Sequence, residues 1–291
     1  MQSADNEERK ADFVDLHIHT NCSDGLLSPE EVVRKAKEFG LVAIGIADHD
    51  SVSGIERAQS VGSAIGIEIV PAVELSCIHN NLDIHILGYY LDYQNQELLD
   101  FLSSVQKQRL ERAKRIVGKL SEQGIKIDVS RVLELSAGAS VGRPHIAQAL
   151  LEEGYVNSFN EAFWKFIGYH CPAYVAKMEI SPEAAIKLIK KFSGIPILAH
   201  PGSYHSEELI YHLIEAGVVG LEVWHPEHTQ NLADHYWEIC QKNGLLVTGG
   251  SDCHGGRKGK LFMGEVKVPY RYLTELKDNK CKLTSGGISG W

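Results

Sequence analysis

Seven apolar segments of this chain each deliver a histidine or a carboxylate at or near their ends, and few folds accommodate that recurrence. The first is "VDLHIHTNCSDG" (14–25). In a strand, alternate side chains point the same way. Asp15, His17 and His19 therefore share one face, and Leu16 and Ile18 take the other. Polar groups facing inward from a buried strand are costly unless something compensates them. For one His-x-His alone, a metal ion and a hydrogen-bonded structural histidine are both open readings. The pattern then repeats. "LVAIGIA" (41–47) runs into "DHD" with His49, "IEIVPAVEL" ends near Glu74, and "LDIHILGYYL" (82–91) carries His85. "IPILAH" ends on His200, "VVGLEVWH" on His225, and "LLVTGGSD" leads to Asp252 and His254. In α/β barrels the strand ends are where catalytic groups gather. So many imidazoles and acids would destabilise a fold without cations between them.

Between these segments lie capped helices. In "SPEEVVRKAKEFG", Ser28 is the N-cap, Pro29 the first helical residue, Glu31 completes a capping box, and Gly40 marks the stop. A second helix is expected over about 53–64, with others in "SPEAAIKLIKKFSG", "SEELIYHLIEAG" and "HTQNLADHYWEICQKNG". The alternation predicts an α/β fold with a parallel sheet or barrel. It breaks between about 95 and 170. There "ELLDFLSSVQKQRLERAKRIVGKLSEQG" reads as one long amphipathic helix, and "RPHIAQALLEEG" and "SFNEAFWKFIG" as two shorter ones. The expected organisation is a barrel split over 1–94 and 181–291, with a helical insertion at 95–180 covering the active site. The Ser/Gly-rich end, about 280–291, is expected to fray.

Composition bounds the partners. A net charge of −9 argues against long nucleic acid held on a basic surface, while leaving room for a small phosphorylated substrate. The polar start "MQSADNEERKADF" lacks the apolar core of a signal peptide, and no segment has the length of a membrane span. Six cysteines without metal-ribbon spacing read as free thiols in a reducing compartment. These features predict a cytoplasmic protein. Mixed nitrogen and oxygen donors suit Zn²⁺, Mn²⁺ or Fe²⁺ better than Mg²⁺ or Ca²⁺. The donors outnumber what one tetrahedral zinc needs, so two or three ions are expected.

"DLHIHTNCSDG", "GIADHDSVSG", "PAVELSC", "DIHILGY", "ILAHPG" and "GGSDCHG" resemble the successive motifs of the PHP (polymerase and histidinol phosphatase) family, over about 12–260. The resemblance implies a distorted (β/α)₇ TIM-like barrel with an inserted helical domain and a trinuclear metal centre. Carried over residue by residue, its ligands are His17, His19, Asp24, His49, Glu74, His85, His200, Asp252 and His254. All nine positions hold competent donors, which weighs against a non-catalytic copy. Glu74 is the expected bridging carboxylate, with Asp24 or Asp252 as further candidates. Asp15 is expected to orient a ligand histidine.

Such a centre suits phosphate-ester hydrolysis, because clustered cations lower the pKa of a water and hold phosphoryl oxygens. Arg143, in "SVGRPHIA", is the expected phosphate-binding and catalytic arginine, against the alternative of a solvated side chain. Lys177 is a second substrate-binding candidate. His225 is expected to contact phosphate or donate to the leaving group, or to be structural. Asp50 is expected to cap the next helix. Phe163, Trp164 and Tyr169 could stack a base, with core packing the expected role. His145, His170, His205, His212, His228 and His235 are assigned to surface or core. "GGSDCHGGRKGK" lacks Walker spacing; its glycines would let backbone approach the metals, with Arg257 to Lys260 at the rim.

Within the family, the motifs and insertion are most similar to the branch that removes the 3′-phosphate of 3′,5′-nucleoside bisphosphates. Related readings are a 5′→3′ exoribonuclease on short RNAs and a histidinol-phosphate phosphatase. Outside that class stand a non-catalytic metal-binding module and a metal-dependent amidohydrolase.

Overall fold

The computed structural model describes residues 12–177, 180–257 and 259–285. The polar N-terminal stretch up to residue 11 lies outside them. β1 (Phe13–Ile18), β2 (Ala43–Ile46) and β3 (Glu68–His79) run parallel, joined by α1 (Pro29–Glu38) and α2 (Ile55–Ile65). β4 (Leu82–Tyr89) is antiparallel to β3 and to β5 (Ile195–Leu198). β6 (Gly220–Trp224) and β7 (Leu246–Gly249) continue parallel to β5. A short β8 (Val268–Pro269) lies antiparallel to β1. Beyond β7, Ile18 pairs in parallel with Cys253, and the His19 N–H donates to the Cys253 carbonyl at 3.0 Å. These contacts bring the two ends of the sheet together into a nearly closed α/β barrel.

The expected seven strands are present, with one reversal. β3 and β4 form a hairpin whose linking residues, Asn80 and Asn81, have φ of 48° and 65°. Positive φ at both positions is what a tight two-residue hairpin turn requires. A connection that short cannot join parallel strands, so β4 runs against its neighbours. His85 therefore reaches the barrel mouth from the middle of β4, opposite Ser76, rather than from its C-terminal end.

The capping signals act as read. Ser28 Oγ accepts the Glu31 N–H at 3.3 Å, Glu31 Oε2 accepts the Ser28 N–H at 2.8 Å, and Gly40 has φ 73°. Gly45 allows β1 and β2 to close, since a Cβ there would lie 2.1 Å from the Leu16 carbonyl oxygen. Buried Tyr89 sends its hydroxyl to that same carbonyl at 3.0 Å.

Between β4 and β5 the chain is helical. α3 (Gln96–Glu122) buries Leu98, Leu102 and Val105 against the barrel core. Its later turns bury Ala113, Ile116, Val117 and Leu120 in a second apolar cluster. That cluster also holds residues of α4 (Val129–Ser136), α5 (Arg143–Glu152) and α6 (Phe159–Ala162), and of the π-helical turn Phe163–Ile167. α4 was not anticipated, and "SFNEAFWKFIG" is α6 followed by that π turn. α7 (Pro182–Lys191), α8 (Glu207–Glu215) and α9 (Gln230–Asn243) alternate with the later strands, and α10 (Tyr270–Ser285) closes the described chain. The expected fraying from about 280 is corrected up to Ser285, which is helical; 286–291 lie outside the described residues. Among the described residues, no helix is long and apolar enough to cross a membrane.

Candidate metal centre

Strand ends, the middle of the β3–β4 hairpin and the loops that follow the strands bring nine predicted donors to one mouth of the barrel. β1 supplies His17 and leads directly into His19; both are fully buried, with their Nε2 atoms 3.1 Å apart. Glu74 stands at the centre. Its Oε2 lies 3.4 Å from His17 Nε2, 3.2 Å from His19 Nε2 and 2.9 Å from His49 Nδ1. Its Oε1 lies 2.9 Å from His85 Nδ1 and 3.2 Å from His200 Nε2. Asp24 Oδ1 is 3.3 Å from His254 Nε2, and Asp252 Oδ1 is 3.0 Å from His19 Nε2. Burial alone would raise the Glu74 carboxyl; the His85, His49 and His17 imidazoles outweigh it and hold the group well below the usual range.

The second tier is specific. Asp48 accepts the Thr20 N–H and hydroxyl, both at 2.7 Å, and the Ser23 hydroxyl at 2.5 Å, fixing the loop that presents Asp24. Asp15 Oδ1 accepts backbone N–H groups from Ser251 at 2.9 Å and His17 at 3.4 Å. It therefore holds the chain and not an imidazole, which corrects the expected role. Glu222 performs that role instead, with Oε1 2.9 Å from His17 Nδ1. Glu222 was missed, although an acid inside the apolar "VVGLEVW" is a readable signal. Asp50 does not cap α2, whose N-cap is Gly54; its carboxylate takes the Ser76 N–H at 3.0 Å and the Arg109 guanidinium. His200 and Asp252 adopt φ of 27° and 46°, and such strained backbone persists where the surroundings enforce it.

The cluster forms the floor of a cavity of about 260 Å³, also lined by His225, Glu227, Ser203, Phe159, Phe163 and Arg257. His225 is buried there, its Nε2 3.8 Å from Asp252 Oδ2 and its Nδ1 accepting the Glu227 N–H. Arg143 and Lys177 converge elsewhere, each 2.8 Å from one oxygen of Asp83, and neither lines the cavity. Arg257 does line it: 9% exposed, it donates from Nε to the Asp24 carbonyl at 2.6 Å, and its buried Nη1 has no hydrogen-bond partner. Lys258 lies outside the described residues, and exposed Lys260 pairs with Glu265. The core role expected for Trp164 and Tyr169 is corrected, because they are 76% and 48% exposed. In the glycine-rich stretch, a Cβ on Gly250 would fall 2.4 Å from the His17 nitrogen, so glycine is what lets that loop approach.

The donor chemistry fits divalent cations. His19 Nδ1, His49 Nδ1, Asp24 Oδ1, Glu74 Oε2 and His225 Nε2 are buried with no aligned hydrogen bond, though acids and imidazoles crowd together. Buried polar atoms are normally satisfied. Donor atoms within 4.8 Å of one another group as His19, Asp24, His49 and His254; as His17, His19 and Asp252; and as His49, Glu74 and His85.

Comparison with known proteins agrees with this geometry. The PHP domain model matches residues 15–173. The chain is 30% identical over 263 residues to a phosphoribosyl 1,2-cyclic phosphate 1,2-diphosphodiesterase of Eggerthella lenta, covering 88% of this chain and 98% of that one. It is 30% identical to the 5′-3′ exoribonuclease Rnm of Escherichia coli, over 82% and 84% of the two chains. It is 29% identical to a 3′,5′-nucleoside bisphosphate phosphatase of Chromobacterium violaceum, over 87% and 91%. A solved structure from Bifidobacterium adolescentis, described as a metal-dependent phosphoesterase, superposes with a TM-score of 0.85 at 30% identity, over 91% of this chain and 96% of that one. The protein belongs to the PHP domain family. Within it, this chain is a metal-dependent phosphoesterase.

Proposed function

We propose that the enzyme hydrolyses phosphate monoesters of small nucleotides, with the 3′-phosphate of a 3′,5′-nucleoside bisphosphate as its substrate. One observation carries the reading: a buried ring of imidazoles and carboxylates with unmet polar atoms floors a cavity of about 260 Å³, small-molecule size. The net charge of −9 favours a nucleotide over a long polymer.

His17, His19, Asp24, His49, Glu74, His85, His200, Asp252 and His254 would hold two or three ions, Mn²⁺, Zn²⁺ or Fe²⁺. The three overlapping donor groups support that number. Bound divalent cations supply Lewis acidity and an activated water. Around them, Glu74 presents its two oxygens to different imidazoles and would be the carboxylate shared between ions. His225, beside Asp252, holds the proton delivered to the leaving oxygen. Arg257 supplies guanidinium donors to phosphate oxygens, and Arg143 and Lys177, gathered at Asp83, bind the outer part of the substrate. Of the described residues, those within 95–180 are the helical insertion over the site, and those within 1–94 and 181–291 make the barrel. Pro144, Phe159 and Phe163 on the cavity wall support that division. The six free cysteines favour a cytoplasmic location.

A second reading, 5′→3′ trimming of short RNAs, is favoured by exposed Trp164 and Tyr169, which could stack bases. Metal analysis of the purified protein, with turnover of adenosine 3′,5′-bisphosphate, a short 5′-phosphorylated RNA and histidinol phosphate, tests both. Preference for the bisphosphate is expected. Turnover of histidinol phosphate alone overturns the nucleotide assignment, and bound metal with no phosphoester hydrolysis makes the chain a binding module.

A further inference from the structure

We infer that His79, Glu183 and His212 form a separate zinc-type cation site on the outside of the barrel. The three come from different elements: His79 ends β3, Glu183 lies in the first turn of α7, and His212 lies in α8. Glu183 Oε1 is 2.7 Å from His212 Nε2 and 4.0 Å from His79 Nδ1. The two imidazole centroids are 5.2 Å apart, and one donor atom from each residue falls within 4.8 Å of the other two.

Two imidazoles and a carboxylate form a His₂Glu donor set, one that zinc accepts with a fourth position left to water. Such ligands bind at about 2.0–2.2 Å, so neighbouring donors in a tetrahedral site sit roughly 3.3 Å apart. Closing the present cluster takes about an ångström of side-chain movement. The residues are free to make it, being 27%, 31% and 46% exposed at the side chain. A second imidazole turned toward a carboxylate oxygen that already meets His212 adds little as an ion pair, since surface pairs contribute little. As a third ligand it completes a chelate.

The site is distinct from the catalytic cluster. His79 stands five residues beyond Glu74 along one strand, roughly 17 Å at strand rise. A cation there would tie the tip of the β3–β4 hairpin to α7 and α8. The same hairpin carries Glu74, Asp83 and His85, and the Ile78 N–H holds the Ile180 carbonyl at 2.9 Å. The chemistry selects a borderline divalent ion such as Zn²⁺ over Mg²⁺ or Ca²⁺, which prefer all-oxygen shells.

The test is a count. The full chain is stripped with chelator, dialysed against excess Zn²⁺, and its zinc per chain measured beside that of His79→Ala/His212→Ala. The double variant should carry one zinc fewer per chain, keep wild-type phosphoesterase activity, and lose part of the zinc-induced rise in Tm. Equal zinc content in the two proteins overturns the site. Glu183→Gln, nearly isosteric, supplies the same count should the double variant fail to fold. Because the readout is a difference in stoichiometry, it stands whether or not the nucleotide assignment holds.

Discussion

Glu222 backs His17: its Oε1 lies 2.9 Å from His17 Nδ1, so the imidazole can turn Nε2 toward Glu74 and His19. The other oxygen accepts the His200 N–H at 2.7 Å, so one buried acid fixes two ligand-bearing segments. Outer partners of this kind set the tautomer and basicity of a metal-bound imidazole. Glu222→Gln should weaken metal affinity roughly 10- to 100-fold while leaving the far-ultraviolet circular dichroism unchanged. Metal titration followed by activity checks this. Unchanged affinity would remove Glu222 from the centre.

Glu74 touches five imidazoles within 3.4 Å, more than any other acid of the cluster. Glu74→Ala leaves the His49, His85 and His200 nitrogens without the carboxylate they face, and the Nε2 atoms of His17 and His19 with Asp252 alone. Its loss of bound metal and kcat should exceed the roughly 10- to 100-fold cost of an outer partner. Elemental analysis and kinetics on one preparation measure both. A variant retaining full metal content and near-normal kcat would disprove the bridging role.

These two residues also mark what could be read from sequence alone. His17, His19 and Glu74 lie in or directly after apolar segments whose two-residue period and interrupting polar residues are local signals, and Ser28 with Glu31 announces α1 just as locally. Glu222 stands out as an acid in an apolar strand, but its pairing with His17 needed a tertiary fact, that the sheet closes with β7 against β1 and so brings β6 within reach. The reversal of β4 turned on the backbone of Asn80 and Asn81, and β8, two residues long, has too little pattern to notice. Trp164 shows the opposite failure. An aromatic in a helical stretch suggests a core, yet the π turn Phe163–Ile167 leaves it in solvent. Asp83 is another tertiary partner that no spacing reveals, because it gathers Arg143 and Lys177 from two separate points of the helical segment.

Gly250 is a steric requirement. A methyl group there would sit 2.4 Å from the His17 nitrogen and 2.5 Å from its Cβ. Gly250→Ala must push apart β1 and the loop carrying Asp252. Overpacking of this sort costs about 1–3 kcal/mol, and here it displaces two donors. A lowered Tm with metal loss is expected from calorimetry and elemental analysis; wild-type values for both would show that the loop yields.

Arg257 carries a buried guanidinium with a donor unmet, beside the acids of the cavity. Substrate oxygens would satisfy it. Arg257→Gln should raise KM for a phosphorylated substrate about tenfold or more, matching the 1.5–3 kcal/mol of a hydrogen bond to a charged group, with metal content preserved. Loss of metal together with activity would instead make Arg257 a support for the Asp24 loop.

His145 gives the fold a pH dependence apart from the metal ligands. Buried in the first turn of α5, it accepts the Gly142 N–H on Nδ1 at 3.0 Å and so must be neutral there. Burial pushes its pKa down to about 4. The unfolded chain, with an ordinary value near 6.5, then binds the proton first as pH falls. Stability from this residue is complete above about 6.5 and drains away toward 4, by at most about 3 kcal/mol over the whole shift. His145→Asn keeps a hydrogen-bond acceptor and cannot titrate. Urea midpoints of wild type and variant should converge between pH 7 and pH 4.5, the wild type losing more. Parallel curves over that range would show that His145 stays accessible to protons in the folded state.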